Sequence, residues 1–316
     1  MIIDMHTHVG DLRSPTALER APVTFEGLIA RLDEEGIDKA VLLPIWPNPE
    51  GILFPYLFSP YPDVVSQIRE ASRFSDRLIL FGNVDPRSGG NSSRTDFSWV
   101  LEKFVEMGCV GIGEVTANLP ADDPRVINLF KQCGRWHLPV LVHVTGPGEG
   151  FYGLIDEVGS PRLERLLQQA PDTLIIGHGP GFWSEIGDGL TPESKSGYPQ
   201  GPIANEGSVP RLLRTYPNLY ADISAHSGYN ALTRDEAFGI RFLNEFQDKL
   251  LFGTDVCFGD AQGRMPHLPY LRSLRSRDLL SQEAFAKITA ENALRHVLRR
   301  MRSDADIDEM KGVATR

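Results

Sequence analysis

Eight histidines are spread over 316 residues, and four of them fall at the ends of short apolar runs. His6 and His8 close IIDMHTH, His143 closes PVLVH and His178 closes TLIIGH; Asp255 closes KLLFGTD in the same way. Residues i and i+2 of a strand point to the same face, so His6 and His8 can grip one ion together. Imidazole nitrogens with a carboxylate suit a divalent metal, Zn²⁺ first, with Mn²⁺ or Fe²⁺ also compatible. A single strand-end histidine is more often a core or capping residue. Four of them with an aspartate, all expected at the C-terminal ends of strands, define a site. Glu114 ends the strand in GCVGIGEV. It is a further ligand, a bridge between two ions, a partner that orients a histidine, or a group paired with substrate or an arginine.

These residues need elements that bring them together. Strands are expected at 2–8, 39–45, 78–85, 109–115, 139–144, 173–179, 219–224 and 249–255. Their near-continuous apolar runs (AVLLPI, LILF, TLIIGH) suit parallel strands covered on both faces. Between them lie helical patterns: Phe25, Leu28, Ile29 and Leu32; Phe97, Val100, Leu101 and Phe104; Val126, Leu129, Phe130 and Cys133. Further helices are expected at about 161–169, 207–215, 236–246 and 282–301. Eight βα units in this length predict an α/β fold, a (β/α)₈ TIM barrel in a single domain over residues 1–301, with a disordered charged tail at 302–316. In such a barrel the ends of strands 1, 5, 6 and 8 converge on one mouth. An open doubly wound sheet shares the alternation, but no GxGxxG opens the first unit.

At this point a resemblance is plain. Asp4-x-His6-x-His8, PVLVH, IIGHGPGFW, NLYADIS, KLLFGTD and the late ITAENALRHV resemble the amidohydrolase superfamily. More narrowly they resemble its amidohydrolase-related (amidohydrolase 2) branch, which contains aminocarboxymuconate-semialdehyde decarboxylase. The resemblance runs from Met1 to about Arg300. It implies a metal held by His6, His8, His143 and Asp255, with His178 beside the metal's water as acid/base or as an extra ligand. Two-metal members often use a carboxylated lysine on a middle strand. Neither strand 4 nor strand 5 has a lysine here, and Glu114 could substitute, so one versus two ions is open.

The ion sets the chemistry: Zn²⁺ brings the pKa of water from about 15.7 down to roughly 7 and polarises a substrate oxygen. Asp255 and His178 are the groups suited to move the proton. The leading expectation is a metal-dependent hydrolase of a lactone, ester or amide. The runner-up is a nonoxidative decarboxylase of an aromatic or unsaturated acid on the same site. A phosphodiesterase and a non-catalytic metal- or ligand-binding barrel are less supported.

The remaining residues are weighed more loosely. Trp46, Trp183 and His226 are candidates for substrate contact, with packing or solvation as the plainer alternatives, and Phe182, Arg13, Arg87 and Arg264 are further top-face residues. A net charge of −10 argues against nucleic acid as a partner, which leaves a small-molecule substrate. No window reaches the ~20 apolar residues of a membrane helix. MIIDMHTHVG lacks the basic start and apolar stretch of a secretory signal, so a cytoplasmic location is expected. The three separated cysteines form no CxxC pair and fit a reducing compartment. Homo-oligomerisation is left open.

Overall fold

A computed structural model describes residues 1–12, 19–45, 60–148 and 150–298 of the chain. Its strands are β1 (Ile3–Thr7), β2 (Lys39–Leu42), β3 (Leu78–Gly82), β4 (Gly111–Val115), β5 (Val140–Thr145), β6 (Leu154–Ile155), β7 (Ile175–His178), β8 (Leu219–Asp222) and β9 (Leu250–Leu251). All neighbours are parallel in the order β1-β2-β3-β4-β5-β7-β8-β9, with the short β6 attached to the end of β5. The end of the path returns to its start. Met5 donates its N–H to the Phe252 carbonyl, Asp255 donates to the His6 carbonyl, and Thr7 and Val256 form a parallel bridge. The result is a nearly closed eight-stranded parallel barrel surrounded by helices.

The helices are α1 (Phe25–Glu35), α2 (Val64–Ala71), α3 (Ser98–Glu106), α4 (Pro124–Arg135), α5 (Pro161–Gln169), α6 (Pro180–Trp183), α7 (Ser208–Thr215), α8 (Ala225–Thr233), α9 (Glu236–Glu245), α10 (His267–Ser276) and α11 (Gln282–Ala286). Their ends follow local chemistry. Thr24 Oγ1 accepts the Gly27 N–H to start α1, and Gly36, at φ 68°, ends it. The expected last helix is interrupted: after α11 the chain continues in π-helical turns at Lys287–Glu291 and Ala293–Val297. This segment plugs the barrel floor, where Ala290, Ala293 and Val297 pack on Ile3, Met5 and Leu251. Helices α2, α6, α8 and α10 and the strand β6 are not among the expected elements. No helix among the described residues is long and apolar enough to cross a membrane.

Alternation along the strands positions the site. Leu141, Ile176, Tyr220 and Leu251 fill the barrel interior, whereas Val140, Val142, Ile175, Leu219 and Ala221 face the helices. One pleat above the interior residues stand His143, His178, Asp222 and Gly253. In β1 and β4 this rule is broken at one place each. Asp4 pairs with Ala40 and Thr7 with Leu42; Ile112 pairs with Val140 and Val115 with Val142. Each strand thus carries one extra residue, a β-bulge, which re-aims side chains. Met5 belongs to the interior cluster, and the extra residue lets the adjacent His6 face inward too. Glu114 follows Gly113 inward by the same device. A Cβ on Gly113 would lie 2.7 Å from the Leu141 carbonyl oxygen at φ +143°, so glycine is required there.

Candidate metal centre

The strand ends bring six side chains into one buried cluster. His6 Nε2 and His8 Nε2 are 2.9 Å apart. Glu114 Oε2 stands 3.6 Å from His6 Nε2 and 3.5 Å from His8 Nε2. Asp255 Oδ1 stands 3.4 and 3.3 Å from the same two atoms. Bonds of about 2.1 Å to a tetrahedral ion put its ligands roughly 3.4 Å apart, so each carboxylate oxygen stands from the two histidine nitrogens at the spacing of a coordination shell.

The hydrogen bonds behind the rings decide what the nitrogens offer. His8 Nδ1 lies 2.8 Å from the Leu43 carbonyl oxygen, which can only accept. His6 Nδ1 lies 2.6 Å from Asp222 Oδ2. Each Nδ1 therefore carries a proton, and the two Nε2 atoms face each other across 2.9 Å. At that separation the pair needs positive charge between its nitrogens, either a proton on His6 or a metal ion that replaces it. The donor set fits a divalent metal.

The electrostatics agree. Burial alone pushes an imidazole down and carboxylates up. Yet Asp255, Glu114 and Asp222 outweigh burial at His6 and hold it well above the ordinary range. Glu114 and Asp255 are held below the usual carboxylate range, the attraction of the histidines overcoming burial. The carboxylates around the histidines make the pocket favour positive charge.

The remaining two histidines stand on the other side of Glu114. His143 Nδ1 is 2.8 Å from Glu114 Oε1, and His178 Nε2 is 3.7 Å from that atom and 3.6 Å from Asp255 Oδ2. Burial pushes His143 below the ordinary range, which suits a neutral ring donating to Glu114. His143, expected with His6 and His8, is thus grouped with Glu114 and His178. The two oxygens of Glu114 serve two different sets of donors.

Residues 58–297 match the family model described as amidohydrolase (amidohydrolase 2). The chain belongs to this amidohydrolase family. Among curated proteins no sequence matches it. Several solved structures share the fold at low identity. A probable 2-pyrone-4,6-dicarboxylic acid hydrolase from Acinetobacter baumannii is 15% identical, with a TM-score of 0.55, over 94% of this chain and 98% of that one. A 5-carboxyvanillate decarboxylase from Sphingomonas paucimobilis is 14% identical, with a TM-score of 0.58, over the same shares. A 4-oxalomesaconate hydratase from Rhodopseudomonas palustris is 16% identical, with a TM-score of 0.56, over the whole of both chains.

Around the centre of this amidohydrolase, Asp222 is the residue that sequence reasoning missed. Its Oδ2 contacts His6 Nδ1, lies 3.1 Å from His178 Nδ1 and accepts from Ser224 Oγ at 2.6 Å. Burial is outweighed by His6 and His178, and the carboxyl stays ionised. The signal was an aspartate closing the apolar run NLYAD, the same cue that exposed Asp255.

Asp4 joins the strand ends behind the cluster. It accepts the His6 N–H at 3.0 Å and the Thr254 hydroxyl at 2.6 Å, tying the bulge of β1 to the turn that presents Asp255. Burial pushes Asp4 up to about 7.

The expected substrate residues fare differently. Trp183 is corrected from a substrate wall to a packing residue. It is buried between Phe182 and Phe242, and its indole N–H donates to the Asp222 carbonyl at 2.8 Å. His226 is exposed in the first turn of α8 rather than in a loop. Trp46 and Arg13 lie outside the described residues, as does the tail at 302–316. Arg87 is bound by Asp85 and Arg264 by Glu34.

Proposed function

We propose that this amidohydrolase is a metal-dependent hydrolase that opens a lactone, ester or amide of a small organic molecule. The observation that carries the reading is the pair of inward-facing Nε2 nitrogens of His6 and His8, 2.9 Å apart and faced by the carboxylates of Glu114 and Asp255. These four side chains would hold the cation, Zn²⁺ first by the chemistry of the donors, and His143 adds a donor across Glu114. A divalent cation there supplies Lewis acidity, making water acidic near neutral pH and polarising a carbonyl oxygen.

The chain's own residues handle the proton. Ser224 Oγ, which donates its own proton to Asp222 Oδ2, accepts the His178 Nδ1 proton at 3.1 Å, so Nε2 faces the centre, 3.6 Å from Asp255 Oδ2. Asp255 accepts a proton from the attacking water, and His178 passes it to the leaving group. His226, exposed beside the end of β8, is kept for substrate contact.

Two observations favour variants of this reading. The division of Glu114 between His6/His8 and His143/His178 favours a second ion, which Glu114, His143 and His178 would hold. The fold similarity to 5-carboxyvanillate decarboxylase, at a TM-score no lower than that to the hydrolase, favours loss of CO₂ from an aromatic acid. Elemental analysis of the purified chain gives metal identity and stoichiometry. Screening lactones and esters for acid release, and aromatic carboxylates for CO₂ release, separates hydrolase from decarboxylase. A purified chain that takes up no divalent metal would end the proposal.

A further inference from the structure

The ladders of the barrel stop short of two residues that shape the centre. The register of β2 with β3 ends at Leu42 and Leu80, and that of β3 with β4 ends at Gly82 and Ile112. Pro44 and Glu114 lie beyond those ends, one on each side of β3, and both are buried. A buried carbonyl in such a place still needs a donor.

Asn83, the residue that follows β3, supplies both from its side chain. Its Nδ2 donates to the Pro44 carbonyl at 2.9 Å and to the Glu114 carbonyl at 2.8 Å, and the residue is buried. A carbonyl oxygen can only accept, so the nitrogen of the amide must face the two of them, and both of its protons are used. Strands β2 and β4 are not neighbours in the barrel; Asn83 stands at the end of the strand between them and reaches across to each.

Each carbonyl belongs to backbone that serves the centre. Pro44 follows Leu43, whose own carbonyl oxygen lies 2.8 Å from His8 Nδ1. Glu114 falls in the bulge of β4, between the pairings of Ile112 and Val115, and its Oε2 stands 3.5 Å from His8 Nε2. A bulge disrupts the local ladder, so a bond from outside the ladder is what steadies the Glu114 backbone. One amide thus spans the backbone that orients His8 and the backbone that delivers Glu114. Its bonds are to main chain, so it acts on a cation only through those two side chains.

We propose that Asn83 is the positioning residue that sets the spacing of His8 and Glu114, a step that rests on the reading of the centre as a cation site.

The test measures the zinc affinity of the full chain by competition with a chelating dye. Asn83→Leu keeps the approximate size of the side chain and removes both donors. Asn83→Ala leaves space for water at the two carbonyls and is read in its place if the leucine variant does not fold. Either substitution should weaken zinc binding by about tenfold or more, the range for residues that orient ligands without touching the metal. In a Glu114→Ala background the same substitution should cost less than about threefold, because effects that pass through a shared partner do not add. A residue that served the fold alone would cost the same factor in both backgrounds. Full affinity in the Asn83 variants, or an equal loss with and without the Glu114 side chain, overturns the role of Asn83 and leaves the cation site standing. A parent chain that holds no zinc overturns the cation reading and the role of Asn83 with it.

Discussion

Asp222 and His6 meet at 2.6 Å between Oδ2 and Nδ1, and this contact fixes which face of the imidazole looks into the barrel mouth. The same oxygen reaches His178, so one carboxylate orients two rings. Partners of this kind are worth about 10–100-fold in metal affinity. Asp222→Asn should weaken zinc binding by that factor in competition with a chelating dye, with the fold intact by circular dichroism. An unchanged affinity would remove Asp222 from the site.

The direct donors should behave differently from the proton-handling group. His8→Ala should lose metal and turnover together. His178→Asn should keep its first metal and lose turnover by ~10²-fold or more. If the unmodified chain carries two metals and His178→Asn carries one, His178 is a ligand of the second ion and its role is reassigned.

Gly253 faces the back of the same network. A Cβ there would lie 2.6 Å from Asp222 Oδ1 and 3.1 Å from the His6 Cβ. Asp222 is pinned by Ser224 and cannot retreat freely. Gly253→Ala should therefore lower metal affinity by about tenfold while the barrel still folds. Full affinity in this variant would mean that the network yields more easily than its hydrogen bonds imply.

Acid stability should report on a residue away from the centre. His267 is buried at the start of α10 against Tyr229, and burial pushes it down from 6.5 to about 4. The unfolded chain takes up a proton between those values and the folded chain does not. Stability is thus full above about pH 6.5 and is lost as pH falls towards 4, by on the order of 3 kcal/mol. His267→Leu should flatten this part of the profile in urea denaturation from pH 7 to 4. A variant that loses stability as steeply as the parent would assign the slope to other groups.

Much of this architecture was legible in the residues. Parallel strands buried on both faces leave apolar runs that a period of two or 3.6 cannot disguise, and a polar residue at the end of such a run stands out. His6, His8, His143, His178, Asp255 and Glu114 were all visible for that reason, and the barrel brings them together. The bulges were not visible, because an extra residue changes which side chains face inward without changing composition. Asp222 escaped because its contacts with His6 and His178 exist only once the strands stand side by side in the barrel. Trp183 was misjudged because an indole near a site looks the same whether its face is open or its N–H is bonded behind the cluster. The segment from Lys287 to Val297 was legible as helical, but its wider turns follow from fitting the barrel floor.

The extra residue in β1 has a consequence for how such chains are compared. Deleting one residue at the bulge could leave both histidines in the sequence at their familiar spacing while turning them outward against the surrounding helices. The site is encoded in the number of residues along a strand as well as in their kinds. A relative that keeps the histidine pair but lacks the irregularity would match the pattern and be unable to hold an ion.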